Sequence, residues 1–147
     1  MKVRISGPPE AIRGSKVDVA RLRRRATGIL RATRQAGAEL SIALVDDASI
    51  RDLNARYRGK PRPTDVLSFS LVEGEHAERR GGLLGDVVIS VETAARQARA
   101  RRRSLDDTVA KLLVHGVLHL LGHDHEADDE ARRMQAEERR IGRVLRA

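Results

Sequence analysis

Residues 2–6 (KVRIS) alternate polar and apolar positions, the period of a half-buried strand, and Gly7, Pro8 and Pro9 end it. Val19, Leu22, Ala26, Ile29 and Leu30 then recur at helical spacing. They predict a helix over 17–36 with arginines on its other faces and Gly37 as its cap. ELSIALV (39–45) reads as a strand closed by Asp46 and Asp47, and 48–57 as a short helix. Gly59, Pro61 and Pro63 exclude regular structure from RGKPRPT. DVLSFSLV (65–72) and LLGDVVISV (83–91) read as strands that pair as a hairpin around a polar loop at 73–82. A basic helix is expected at 92–102. Another begins at Ser104, whose side chain can cap it, has Asp106 and Asp107 in its first turn, and runs to about Leu121. A charged helix closes the chain over 126–145.

This order predicts a single α+β domain over 1–147, with one mixed sheet of about four strands packed with about five helices. The helix after Ser104 should lie deepest, because Leu105, Val109, Leu112, Leu113, Gly116, Val117 and Leu120 give it a broad apolar stripe. A length of 147 residues and 40% hydrophobic content suit one core.

Composition narrows the chemistry. No apolar run reaches the length of a membrane span, and the start lacks the apolar region of a signal peptide, so a cytoplasmic protein is expected. The absence of cysteine excludes disulfides, thiolate metal sites and a cysteine nucleophile. Twenty-nine Lys and Arg against twenty-one Asp and Glu leave a net charge of +8. Nearly all of the cations are arginine, whose fork suits phosphate, so nucleic acid is the first partner to consider. Tyr57 and Phe69 are the only aromatic residues, too few for a base-stacking platform. Any RNA would be held by its phosphates and shape. The segment RQARARRRS (96–104) is a candidate RNA-contacting face, and a solvated helix face explains it equally well.

Four of the five histidines fall in HGVLHLLGHDH, 115–125. His115 and His119 are four apart on one helical face, which lets two imidazoles converge on one ion. Gly122 can stop the helix in a left-handed turn and bring His125 back as a third ligand. His123 stands as an alternative ligand, a supporting group or an exposed residue, and Asp124 as a support for a ring or a loop acid. Three histidines leave the fourth position of a tetrahedral zinc open, and zinc lowers the pKa of a water there to about 7. The metal helix is zincin-like in spacing, yet Gly116 stands where a zinc protease carries its glutamate, which argues against peptide hydrolysis. Phosphodiester chemistry needs positive charge instead, which the arginines can supply.

HGVLHLLGHDH resembles the H-G-x-L-H-L-x-G-[YH]-D-H signature of the YbeY family of bacterial endoribonucleases. LNARYRGKPRPTDVLSF (53–69) and GDVVIS (85–90) resemble two further blocks of the family. The resemblance implies one zinc per chain on His115, His119 and His125, and an activity-bearing arginine at Arg58. It also implies a single-strand-directed RNA endonuclease acting on ribosomal RNA and the small ribosomal subunit in the cytoplasm. A non-catalytic ribosome-assembly factor with a structural zinc is the alternative.

Overall fold

The computed structural model describes residues 2–9, 16–70, 82–124 and 126–146. The last two positions of the strand expected at 65–72, most of the loop expected at 73–82, and His125 lie outside the described residues. The elements are β1 (Lys2–Ser6), α1 (Val19–Ala32), β2 (Glu39–Val45), α2 (Asp47–Arg58), β3 (Val66–Ser70), β4 (Leu83–Ser90), α3 (Val91–Arg101), α4 (Leu105–Leu120) and α5 (Asp128–Arg146). Among the described residues, the expected α+β order of four strands and five helices is what forms.

The sheet runs β1-β2-β4-β3. β1 and β4 both pair parallel to the central β2, and β3 pairs antiparallel to β4, the expected hairpin partner, with Val66 opposite Ile89 and Ser70 opposite Gly85. The period of two sends the side chains of β2 to two faces. Leu40, Ile42 and Leu44 are buried in the main core with Leu22, Ile29 and Leu30 of α1, Leu113, Val117 and Leu118 of α4, and Met134 and Ile141 of α5. Ala43 and Val45 face a smaller cluster, where Ile50 of α2 meets Leu67 and Val88. The sheet is therefore covered on both sides, α1, α4 and α5 on one and α2 on the other.

α1 ends earlier than its periodicity suggests. Thr33 is its C-cap, its hydroxyl donates to the Ile29 and Leu30 carbonyls, and Arg34 takes the left-handed conformation expected of Gly37. The Gln35 N–H then reaches back to the Leu30 carbonyl, so the terminal carbonyls are satisfied before Gly37 is reached. The start of α4 is as expected. Ser104 accepts the Asp107 N–H at 3.0 Å, and the acids of the first turn serve two purposes. Asp107 binds Arg25 at 2.8 Å and Asp106 accepts the Asp18 N–H at 2.9 Å, which lock α1 onto α4. Much of the positive charge of α1 is thus structural: Arg21 and Arg25 pair with acids, and Arg23 caps the Val3 carbonyl.

Candidate metal centre and its cleft

From Thr108 to Leu120, every residue of α4 is buried except three: Lys111, His115 and His119. They are spaced i, i+4, i+8, so they form one line along the only open strip of an otherwise enclosed helix. The apolar stripe that buries the helix thereby also aims the two histidines.

Their rings meet edge to face, with centroids 4.6 Å apart and the two Nε2 atoms 3.1 Å apart. Two bonds of about 2.0–2.1 Å at a tetrahedral zinc would hold two nitrogens roughly 3.3 Å apart, so a small adjustment of the rings suits a shared ion. The other nitrogen of His115 faces a carboxylate: Nδ1 lies 3.6 Å from Oε2 of Glu138 on α5. Contact with His115 holds Glu138 below its ordinary carboxyl pKa, against the opposing effect of its burial. A carboxylate at Nδ1 favours the tautomer with its proton there, leaving the Nε2 lone pair directed at His119. The donor set therefore fits a divalent, imidazole-binding metal.

Beyond His119 the helix stops as expected. Gly122 is left-handed at φ +94°, its N–H bonds the His119 carbonyl at 3.0 Å, and the His123 N–H bonds the Leu118 carbonyl at 3.0 Å. His125 lies three residues further on, outside the described residues, so of the three expected ligands two are seen together. His123 lines a different hollow, with Leu118, Leu121, Glu137 and Arg140.

Gly116 has a steric explanation. A Cβ at this position would lie 2.7 Å from Cγ1 of Val87 and 3.2 Å from Oγ of Ser68, so α4 presses its backbone onto the sheet here. Ser68 completes the contact by donating to the Gly116 carbonyl at 2.8 Å. No glutamate fits on this side of the helix, which faces the sheet rather than the open strip.

His115 and Glu138 line a cleft of about 170 Å³, together with Lys111, Asp65, Gln97, Arg101 and Arg103. Asp65 is held by the Val66 N–H at 2.8 Å and by Gln97 at 3.1 Å. Arg58 does not line this cleft. It is the exposed last residue of α2, and its side chain has no hydrogen-bond or ion-pair partner among the described residues. The loop that follows it ends at the cleft wall, at Asp65. Buried Asn54 steadies that loop: its side-chain amide donates to the Arg62 carbonyl at 2.9 Å, and its backbone carbonyl accepts the Lys60 N–H at 3.2 Å. Neither Glu138 nor Lys111 stands out in the sequence as part of a site: Glu138 is expected there only as one of the ion-paired, solvent-exposed acids of the charged last helix, and Lys111 is not singled out. Lys111 had a signal, one turn before His115 on the same face. Glu138 had none, since the packing of α5 on α4 alone brings it there.

The model of the family described as endoribonuclease YbeY matches residues 11–146. This chain belongs to the YbeY family. It is 50% identical over 144 residues to the "Endoribonuclease YbeY" of an Anaeromyxobacter species, covering 98% of this chain and 72% of that one. It is 44% identical over 128 residues to the protein of the same name from Syntrophotalea carbinolica, covering 86% and 85%. In fold it is similar to the solution structure of TM1509 from Thermotoga maritima, with a TM-score of 0.65 and 27% identity over 97% of this chain and 88% of that one. Among the described residues, no helix is long and apolar enough to cross a membrane.

Proposed function

We propose that this YbeY family member is a zinc-dependent endoribonuclease directed at single-stranded RNA, acting in ribosomal RNA maturation and ribosome quality control on the small ribosomal subunit in the cytoplasm. The family it belongs to supports the reaction class. The observation that carries the metal reading is the pair of Nε2 atoms 3.1 Å apart on the open strip of α4, with Glu138 at the far nitrogen of His115.

His115, His119 and His125 would hold the ion. When bound, zinc supplies Lewis acidity and lowers the pKa of a nucleophile at its free position to near neutrality. The protein's own part is orientation and charge. Glu138 keeps the His115 proton on Nδ1, so that Nε2 stays a donor to metal. Arg58, exposed and unpartnered among the described residues, clamps a phosphate of the strand and offsets charge that builds on its oxygens. Peptide hydrolysis is disfavoured by the same packing that excludes a side chain from position 116.

Metal analysis and RNA cleavage on wild type, His115→Ala and Arg58→Ala test this. About one zinc per chain is expected in wild type and Arg58→Ala, a loss of metal in His115→Ala, and no cleavage by either variant. Full cleavage by a metal-free His115→Ala protein refutes the proposal. A wild type that binds ribosomal particles but cuts no RNA points to an assembly factor with a structural zinc.

A further inference from the structure

The cleft beside His115 carries charge that the fold does not use. Its three cations, Lys111, Arg101 and Arg103, are exposed, and none of their side chains has a hydrogen bond or ion pair among the described residues. Other arginines are committed: Arg21 and Arg25 to the first turn of α4, Arg96 to Asp47 at 2.7 Å, Arg140 to Glu137 at 2.7 Å. The two carboxylates of the cleft are committed as well. Asp65 accepts two N–H donors, and Glu138 is turned toward His115 and feels Lys111 only at longer range. The cleft thus presents free positive charge and occupied negative charge.

Position along α4 supplies the second argument. Lys111 precedes His115 by four residues on the open strip, a rise of about 6 Å along the helix axis. One sugar–phosphate repeat can span that distance. Arg101 and Arg103 line the same cleft from the end of α3, where Arg102 takes a left-handed conformation at φ +54° as its C-cap and Ser104 caps the next helix. A volume of about 170 Å³ admits a phosphate with part of its sugar.

We propose that this cleft is a phosphate subsite, in which Lys111, Arg103 and Arg101 hold the phosphate of the single RNA strand next to the one at the histidine site. The inference rests on the reading of the chain as an RNA-cutting enzyme and names where its substrate lies. A site made of flexible cations on a cleft wall grips backbone and reads no base, so binding here is independent of sequence. It also separates two arginine populations: those of α1 hold the fold together, while those at the end of α3 hold the substrate.

The test is the salt dependence of binding to fluorescein-labelled uridine and adenosine oligoribonucleotides, measured with chelator present so that nothing is cut. The proteins are wild type, Lys111→Ala/Arg103→Ala, the charge-keeping pair Lys111→Arg/Arg103→Lys, and His115→Ala. For a single strand each neutralised phosphate contributes about 0.7 to the slope of log K against log salt, so the alanine pair, which gives up this one phosphate, should be shallower by about 0.7. Its affinity should fall by the same factor for both RNAs. The charge-keeping pair should keep the wild-type slope, and so should His115→Ala, although the latter does not cut. An alanine pair with the wild-type slope, or a charge-keeping pair that loses as much slope as the alanine pair, overturns the subsite while leaving a cleaving wild type as an RNA enzyme. A wild type that does not bind these RNAs, and does not cut them once loaded with zinc and freed of chelator, overturns the functional reading and the subsite together.

Discussion

Replacing Gly116 with alanine should destabilise the protein, although the same change in an open helix stabilises by about 1 kcal/mol through helix propensity. The added Cβ would stand 2.7 Å from Cγ1 of Val87, well inside the 3.5–4.0 Å at which carbon atoms pack best. Val87 is fully buried on β4, and β4 is paired on both sides, so the neighbour has little room to retreat. Forcing a methyl group into such a contact costs typically 1–3 kcal/mol. The tight end of that range applies here, and subtracting the propensity gain leaves a net loss of about 1–2 kcal/mol. For a chain of this size that lowers the thermal midpoint by about 2–8 °C. Thermal unfolding followed by circular dichroism, with chelator present so that metal binding does not contribute, measures it. A double-mutant cycle identifies the cause. Val87→Ala removes the clashing methyls, so the pair should couple favourably by about 1 kcal/mol or more. A Gly116→Ala protein more stable than wild type, or one whose loss is unchanged in the Val87→Ala background, would refute the steric account of why α4 has no side chain at that point.

Glu138→Gln should weaken zinc binding by about 10–100-fold while leaving the fold intact, measured by competition with a chromogenic chelator; unchanged affinity would show that the carboxylate does not orient His115. Stripping metal with a chelator should lower the thermal midpoint of zinc-loaded protein, and a midpoint indifferent to zinc would speak against a site formed only in the folded chain. Burial opposes ionisation of Asp47, but hydrogen bonds from Ser90, Thr93 and Arg96 outweigh it and hold its pKa below the ordinary 3.8. Its stabilising effect is therefore present above that value and lost as pH falls through the lower, folded pKa. Asp47→Asn should be less stable than wild type at neutral pH, with the gap narrowing in acid, as read by urea unfolding across pH; a gap of constant size would contradict it. Asn54→Ala should loosen the loop between Arg58 and Asp65, with increased proteolytic nicking at 59–63, while the melting of the rest of the chain changes by only a few degrees.

Local periodicity and punctuation sufficed for the elements themselves. The strand at Glu39–Val45 coincides with its expected bounds, and those at Lys2–Ser6 and Leu83–Ser90 lie within a residue of them, because a period of two and flanking glycine, proline or aspartate are properties of neighbouring residues. The Ser104 cap and the turn at Gly122 were equally local. So was the convergence of His115 and His119, since helical spacing alone puts positions i and i+4 on one face. The end of α1 was misplaced because three residues, Thr33, Arg34 and Gln35, closed its last turn with hydrogen bonds that hydrophobic spacing does not encode.

What only the tertiary structure decided is which charges are spent and which are free. In the sequence, the arginines of α1 and those of 99–103 look alike. The packing of α1 on α4 pairs Arg21 and Arg25 with Asp106 and Asp107, more than eighty positions away, while Arg101 and Arg103 are left facing a cleft. Glu138 meets His115 for the same reason, through the crossing of two helices. The reason for Gly116 lies in Val87, on a strand the sequence places far from it. Contacts between elements depend on how twisted sheets and helix faces pack in three dimensions, and no window of neighbouring residues contains that information.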